Sequence, residues 1–183
     1  MYFENAGEKN TEATLRAAFE CAREQNIRKL VVASTEGGTG ALTAELAEDN
    51  GVDIIVVTHN TGFSDHGIQQ LKAENRARIE KAGAVIHTGT LVFRGSGSAI
   101  RKKLGWSEEE LMASVLRLFG QGMKVCVEMA AMVADAGLVS GEDIICVAGT
   151  GSGADTAVVI SPAPSNKLFD LKVREIIAKP RDF

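Results

Sequence analysis

The sequence predicts a three-layer α/β/α sandwich around a mostly parallel sheet of five strands. Short runs rich in valine and isoleucine alternate with longer segments whose apolar residues recur at helical spacing. These runs are too apolar for strands with one solvated face, which is typical of parallel strands covered by helices on both sides. The last two runs are joined by only Gly151–Asp155, too short for a parallel crossover, so those strands must be antiparallel if they pair. We expect residues 1–183 to form one such domain.

Strands and helices alternate along most of the chain. The predicted strands cover residues 29–34, 52–58, 84–90, 143–150 and 156–160. The predicted helices cover residues 10 or 11 to 26, 40–50, 66–81, 100–104, 108–119 and 123–136. In the third helix Ile68, Leu71 and Ile79 are expected to face the core, and a Ser107–Glu110 capping box begins the fifth. Residues 173–178 are a candidate for one further strand.

A glycine-rich loop joins the first strand to the second helix. It reads Ser34-Thr35-Glu36-Gly37-Gly38-Thr39-Gly40. Unpaired N–H groups and the positive end of a helix dipole converge at such a turn, and glycine lets a phosphate approach the backbone. The alternatives are a phosphate cradle and a plain tight turn, and we favour the cradle. Its candidate ligand-binding residues are Ser34, Thr35, Gly37, Gly38 and Thr39. The loop lacks the Gly-Lys-Ser/Thr of a P-loop and matches Gly-x-Gly-x-x-Gly poorly, which argues against NAD.

A second glycine-rich loop, Gly149–Asp155, follows the fourth strand. In parallel sheets ligands sit beyond the carboxyl ends of the strands, where the strand order reverses direction. If the second and third strands lie on one side of the first and the fourth lies on the other, both glycine loops face one crevice. The candidate binding residues here are Gly149, Thr150, Gly151, Ser152 and Gly153. The same residues also suit a simple hairpin turn.

Polar residues end the second and third strands at this rim of the sheet. They are Thr58, His59 and Asn60 after the second strand, and His87, Thr88 and Gly89 after the third. Each histidine is either a functional group in the crevice or a rim residue bonded to backbone. Arg94, in the next loop, could close over a phosphate or a ring. Lys102 and Lys103 are interpreted as solvated helix charges.

Composition and charge exclude several classes of function. A formal net charge of −4 and a pI of about 5.5 do not indicate a nucleic-acid surface. No apolar run approaches the roughly 20 residues of a membrane helix, and the first residues lack a secretory signal. Three cysteines without Cys-x-x-Cys spacing indicate buried, reduced thiols and a cytoplasmic protein. Aromatic residues are only 5% of the chain, too few to reveal a platform for bases, and no metal-ligand spacing is present.

In order and kind, these motifs resemble the C-terminal domain of pyruvate kinase. The resemblance covers most of residues 10–161 and rests on Ser34–Ala41, Gly141–Gly149 and Gly151–Thr156. The length and the basic loop near Arg94–Lys103 are most similar to small stand-alone proteins grouped beside that domain. Members of that uncharacterised family resemble one another in carrying bound flavin mononucleotide (FMN).

The resemblance implies strand order 3-2-1-4-5 with the fifth strand antiparallel, in agreement with the loop-length argument. In some pyruvate kinases the matching first loop holds the phosphate of an allosteric sugar bisphosphate, which implies phosphate contacts for the first-loop candidates here. Glu36 and Gly40 depart from the usual pattern, which argues against a sugar bisphosphate itself. No barrel domain accompanies the motifs, so pyruvate kinase activity is not expected.

Two functional hypotheses remain open. As a binding or sensing module, the protein holds a phosphorylated small molecule, by resemblance FMN, with its phosphate on the first glycine loop. As a flavin-dependent oxidoreductase, it uses His59 or His87 to tune the ring or deliver a proton. A phosphatase- or kinase-like activity is least favoured, because no aspartate nucleophile motif is visible. Homo-oligomer formation through the helix at Met123–Ala136 or the carboxyl-terminal segment is a further expectation.

Overall fold

The computed structural model describes residues 1–47 and 50–183, and a seven-stranded sheet lies at its centre. The strands are β1 (Tyr2–Asn5), β2 (Lys29–Ala33), β3 (Asp53–Thr58), β4 (Val85–Thr88), β5 (Ile144–Ala148), β6 (Thr156–Ser161) and β7 (Lys172–Asp182). The α-helices are α1 (Thr11–Gln25), α2 (Gly38–Ala47), α3 (Ala73–Lys81), α4 (Ser96–Leu104), α5 (Glu108–Arg117) and α6 (Gln121–Asp135). Short 3-10 helices cover Glu8–Asn10 and Ser165–Asp170.

The strand order is β1-β7-β6-β5-β2-β3-β4. Strand β2 is parallel to β3 and β5, and β3 is parallel to β4. Strand β6 is antiparallel to both β5 and β7. The predicted order of the five central strands and the direction of the fifth are therefore confirmed. The predicted number of five strands is wrong, because β7 and β1 extend the sheet. The candidate strand over residues 173–178 is confirmed as part of β7. Strand β1 is short, mostly exposed and paired with the opposite end of the chain, so no local pattern reveals it.

Helices cover both faces of the sheet, which confirms the three-layer sandwich. Leu30 and Val32 of β2 pack in the core formed with α1, α2 and α3, whereas Val31 packs in the core formed with α5 and α6. This alternation explains why the strand has no polar face. In the described part of the chain, no helix is long and apolar enough to cross a membrane.

The three cysteines are free and buried, as predicted. Burial raises the pKa of the Cys21 thiol to about 11 and also raises the pKa values of Cys126 and Cys146. Because the thiolate is the reactive form, these side chains act as small apolar packing groups.

Two predicted helix starts are wrong. Helix α3 begins at Ala73 rather than at residue 66, and Ile68 is 53% exposed whereas Leu71 and Ile79 are buried. The Gln69 side chain accepts the Leu71 N–H at 3.0 Å, and such local side-chain bonds compete with helix formation. Helix α4 begins at Ser96, four residues earlier than expected. The second helix was predicted to end at residue 50, and residues 48 and 49 in its expected last turn lie outside the described residues.

A polar contact holds the start of β2 against the turn before β5. The Lys29 amine donates to the Leu138 carbonyl at 2.7 Å and pairs with Glu142 at 3.1 Å. The backbone N–H of Glu142, the Ser140 hydroxyl and Lys29 lower the pKa of this carboxyl to about 2.

Glu142→Gln should cost less than about 1 kcal/mol of stability at pH 7, since the pair is partly exposed. The pKa of Glu142 is lower in the folded state. The stability that wild type has over the variant is therefore complete above pH 4.5 and disappears as the pH falls toward about 2. Urea unfolding of both proteins between pH 2 and 7 measures this. A difference that stays constant over that range contradicts the prediction.

Candidate ligand-binding cleft

The first glycine loop presents the amino-terminal end of α2. Ser34 is buried, and its hydroxyl accepts the N–H of Gly40 at 2.9 Å. Since helix geometry leaves the first N–H groups without an internal acceptor, those of Gly38 and Thr39 remain available to a ligand. The helix dipole adds partial positive charge there. This end of α2 can therefore bind an anion.

Contacts with α3 and with the two residues that precede it hold the first loop in shape. Gly37 has φ +95°, and a Cβ at this position would lie 2.5 Å from the Leu71 side chain and 2.6 Å from Cβ of Asn75. The Asn75 amide donates to the Glu36 carbonyl at 2.9 Å. Lys72 pairs with the Glu36 carboxylate, and this hydrogen bond raises the pKa of the lysine. Lys72 thereby offsets the negative charge of Glu36, which would otherwise oppose an anion.

A buried carboxylate organises the second glycine loop. Asp155 is fully buried, and one of its oxygens accepts the N–H groups of Thr150 and Gly7 at 3.1 and 3.0 Å. Its other oxygen accepts the Thr156 hydroxyl at 2.8 Å. Asp155 therefore ties both ends of the loop to the chain's amino-terminal segment.

The amino-terminal segment forms a wall beside the second loop. The Thr11 hydroxyl accepts the Ala154 N–H at 2.9 Å, and the Ser152 hydroxyl donates to Glu8 at 3.2 Å. Glu8, Lys9, Thr11 and Glu12 line the space between the loops. Sequence reasoning missed this wall because the contacts join residues more than 140 positions apart.

Both glycine loops open on one cleft of about 970 Å³. The predicted site residues that line it are Ser34, Thr35, Gly38, Thr39, His59, Arg94, Gly149, Gly151, Ser152 and Gly153. The cleft lies beyond the carboxyl ends of β2 and β5, where the strand order reverses. The geometric expectation that Gly38 and Ser152 face one crevice is met.

Other predicted site residues lie outside the cleft lining. They are Gly37, Thr58, Asn60, His87, Thr88, Gly89 and Thr150. Strand β4 is the outer strand on its side of the sheet, so its carboxyl end does not reach the crevice between β2 and β5. The hydroxyls of Thr58 and Thr88 instead bond to each other at 2.7 Å. Burial lowers the pKa of His87, which favours the neutral ring.

Three side chains stack at the rim of the cleft. The rings of His59 and Phe63 lie 3.7 Å apart at an angle of 25°, and the Arg94 guanidinium lies 4.7 Å from the Phe63 centroid. Gln70 Oε1 accepts from Nδ1 of His59 at 3.0 Å. Phe63 was missed because a lone aromatic in a polar loop carries no pattern. The stack gives the cleft a flat, partly cationic side.

A buried ion pair anchors the segment that carries Arg94. Lys124 and Glu128 of α6 are 2% and 3% exposed and pair with each other one helical turn apart. The second Glu128 oxygen accepts the Phe93 N–H at 2.6 Å. Burial lowers the pKa of Lys124, an effect that Glu128 opposes and that Arg117 and Arg94 increase. Glu128 therefore fixes the backbone next to Arg94 against α6.

The charged groups in the cleft have both signs. Glu8, Glu12 and Glu36 contribute carboxylates, and Lys9 and Arg94 contribute cations. Leu42 and Val125 supply apolar surface. Among residues 1–47 and 50–183, no group of three or more histidine, cysteine, aspartate or glutamate side chains is arranged to hold a metal ion.

Comparison with solved structures finds similar chains of low sequence identity. A pyruvate kinase from Cryptosporidium parvum is 18% identical over 84% of this chain, with a TM-score of 0.41. O-ureido-L-serine synthase is 17% identical over 75% of this chain and 50% of its own length, with a TM-score of 0.34. The chain spans about a quarter of that pyruvate kinase, 23% of its length. Residues 12–160 match the model of the pyruvate kinase alpha/beta domain family, and this protein belongs to that family.

Proposed function

We propose that this protein binds FMN, with the phosphate on the first glycine loop and the ring system extending toward Arg94. One observation carries the proposal. Two glycine loops from separate strands open on a single cleft of about 970 Å³, which is large enough for a ligand of this size. Such clefts at the reversal of strand order are the usual ligand sites of parallel sheets.

The donors at one end of the cleft suit a phosphate. The N–H groups of Gly38 and Thr39 belong to the first turn of α2, which has no internal acceptor for them, and the Ser34 hydroxyl still has its own proton to donate. Lys9 also lines the cleft and supplies positive charge. Because Glu36 is paired with Lys72, its charge repels the phosphate less.

The remaining walls suit an aromatic ring system. The stacked side chains of His59 and Phe63 offer flat surface, and Leu42 and Val125 offer aliphatic surface. The hydroxyl of Ser152 and the backbone of the second loop can contact the polar edges of a ligand. The donor set and the shape thus both agree with a phosphorylated flavin.

The histidine in the cleft favours a second candidate, a flavin-dependent oxidoreductase. Bound flavin would supply hydride or single-electron transfer. Gln70 bonds Nδ1 of His59, so Nε2 is the ring nitrogen left to contact a bound ligand. His59→Gln would slow flavin reduction by NADH or NADPH in an enzyme that uses this histidine. If the variant reduces flavin at an unchanged rate and binds FMN with unchanged affinity, the cleft serves binding alone.

Titration with FMN, followed by flavin fluorescence, tests the proposal. Wild type should saturate, and Arg94→Ala should weaken binding about tenfold, the equivalent of one charge-assisted hydrogen bond. Lys102→Ala, which removes an exposed cation outside the cleft lining, is the matched control and should bind like wild type. Riboflavin, which lacks the phosphate, should bind at least tenfold more weakly than FMN.

Two results would overturn the proposal. The first is a colourless protein that stays unsaturated at about 1 mM FMN, which means a binding free energy weaker than about 4 kcal/mol. The second is equal affinity for riboflavin and FMN, which would show that the first loop does not bind the phosphate.

A further inference from the structure

Helix α5 carries an apolar stripe on its outer side. Leu111, Val115 and Leu118 recur at the spacing of one helical face and are 63%, 51% and 75% exposed. The inner side of the same helix is already packed, with Ala113 fully buried. Amphipathic helices normally turn such a stripe toward a core. Here both the inner and the outer side are apolar.

Neighbouring residues enlarge this surface. We call it the α5 face, and it consists of Leu104, Trp106, Leu111, Val115, Leu118 and Phe119, each more than half exposed. With about 150–250 Å² for a fully exposed large side chain, the six expose on the order of 700 Å². Monomeric proteins rarely expose more than a few hundred Å² of contiguous apolar surface.

We propose that the α5 face is the contact between two copies of this chain, related by a two-fold axis near Val115. A stable interface covers about 800 Å² on each partner, and the α5 face supplies most of that area. The apolar stripe is nearly symmetric about Val115, the central residue of the three. Two antiparallel copies of α5 can therefore bury it against itself, as an isologous contact requires.

The charges on α5 favour an antiparallel arrangement of the two copies. Glu108, Glu109 and Glu110 lie in its first turn, and Arg117 ends the helix. Arg117 is engaged within its own chain, where it donates to Glu110 and Gln121 at 3.0 Å. In an antiparallel pair the acidic first turns lie at opposite ends of the contact, and the helix dipoles are opposed. A parallel pair would place carboxylates against carboxylates. Repulsion between the acidic first turns and the direction of the helix dipoles thus favour the antiparallel arrangement over a parallel one.

Helix α6, the surface expected from its methionine- and alanine-rich sequence, is not available for this contact. Most of its residues from Gly122 to Val133 are buried in the core of one copy. The carboxyl-terminal strand β7 has Val173 at its exposed start and is buried near Ile177 and Ala178. The α5 face is therefore the larger apolar surface among these three.

Light scattering after size-exclusion chromatography tests the proposal. Wild type at about 100 μM should have the mass of a dimer, and Leu118→Glu should weaken association at least about 100-fold and give a monomer. Ile68→Glu is the matched control, since Ile68 is 53% exposed and lies in a loop outside the α5 face. It should stay dimeric. Far-UV circular dichroism checks that each variant is folded.

Crosslinking tests the position of the axis without relying on a disruptive variant. Val115→Cys should join two copies through a short bismaleimide, because each new thiol faces its counterpart. The native cysteines are buried and should react little. Ile68→Cys should not crosslink. A monomeric wild type, a mass above that of a dimer, or equal crosslinking of both cysteine variants would each refute the two-fold contact, whether or not FMN binds.

Discussion

Replacing Lys124 with methionine should lower the free energy of unfolding by about 3–5 kcal/mol, which is the usual cost of leaving a buried charge without its partner. Glu128 would keep its carboxylate in a site that is 3% exposed, with the Phe93 N–H as its remaining donor. Methionine matches the length of the lysine side chain, so the change removes charge with little change in packing. Urea unfolding at pH 7, followed by circular dichroism, measures the loss.

The double variant Lys124→Met with Glu128→Leu separates charge from packing. Removing both charges should recover most of the loss, because buried ion pairs contribute little beyond an apolar pair of similar volume. A residual cost of about 1–2 kcal/mol remains, since the Phe93 N–H loses its acceptor. A single variant as stable as wild type would show that Lys124 does not compensate Glu128.

The same pair links stability to the proposed site. Glu128 holds the backbone at Phe93, one residue before Arg94, against α6. The double variant should therefore be nearly as stable as wild type and yet bind FMN more weakly than wild type does. Amide hydrogen exchange at Phe93 reports the loss of this anchor independently of any ligand.

Gly149→Ala should cost about 3 kcal/mol of stability and at least tenfold in FMN affinity, because the added methyl group meets backbone that cannot move aside. A Cβ at this position would lie 2.5 Å from the Gly153 carbonyl oxygen and 3.0 Å from Cα of Ala154. The loop must open to relieve this clash, and opening pulls the Thr150 N–H away from the buried Asp155 carboxylate. Thermal unfolding and FMN titration measure the two effects.

Gly151→Ala in the same loop is the control. Gly151 has φ +80°, but no atom lies within 4 Å of an added Cβ, so only the backbone strain of about 1 kcal/mol is expected. If the two alanine variants lose the same stability and affinity, then the close approach at Gly149 has no special role.

Most of the central sheet was predictable from the sequence. The runs around Val31, Ile55 and Cys146 are apolar at every position, and only a strand covered on both faces suits them. The short connection Gly149–Asp155, which leaves no room for a parallel crossover, determines the antiparallel direction of β6. The two glycine loops were also visible as candidates, since glycine and hydroxyl residues directly follow apolar strands.

The walls of the cleft were not predictable in the same way. Phe63 stands alone in a polar loop, and its stacking between His59 and Arg94 depends on how two separate connections fold. The Glu8–Glu12 segment reaches the cleft because Gly7 and Thr11 bond to the second loop. The exposure of the α5 stripe likewise appears only when the inner side of that helix is packed.

The sequence by itself determined the class of fold, the antiparallel direction of the last central strand and the two loops that flank the carboxyl ends of the strands, because periodicity and loop length act over a few neighbouring residues. The order of the central strands was an expectation from the resemblance to the pyruvate kinase domain. Only the tertiary structure decided which candidates share a cleft, that β4 and His87 lie too far out in the sheet to reach it, and that α5 leaves apolar surface uncovered. Those outcomes depend on contacts between residues far apart in the chain, which local patterns of side chains do not encode.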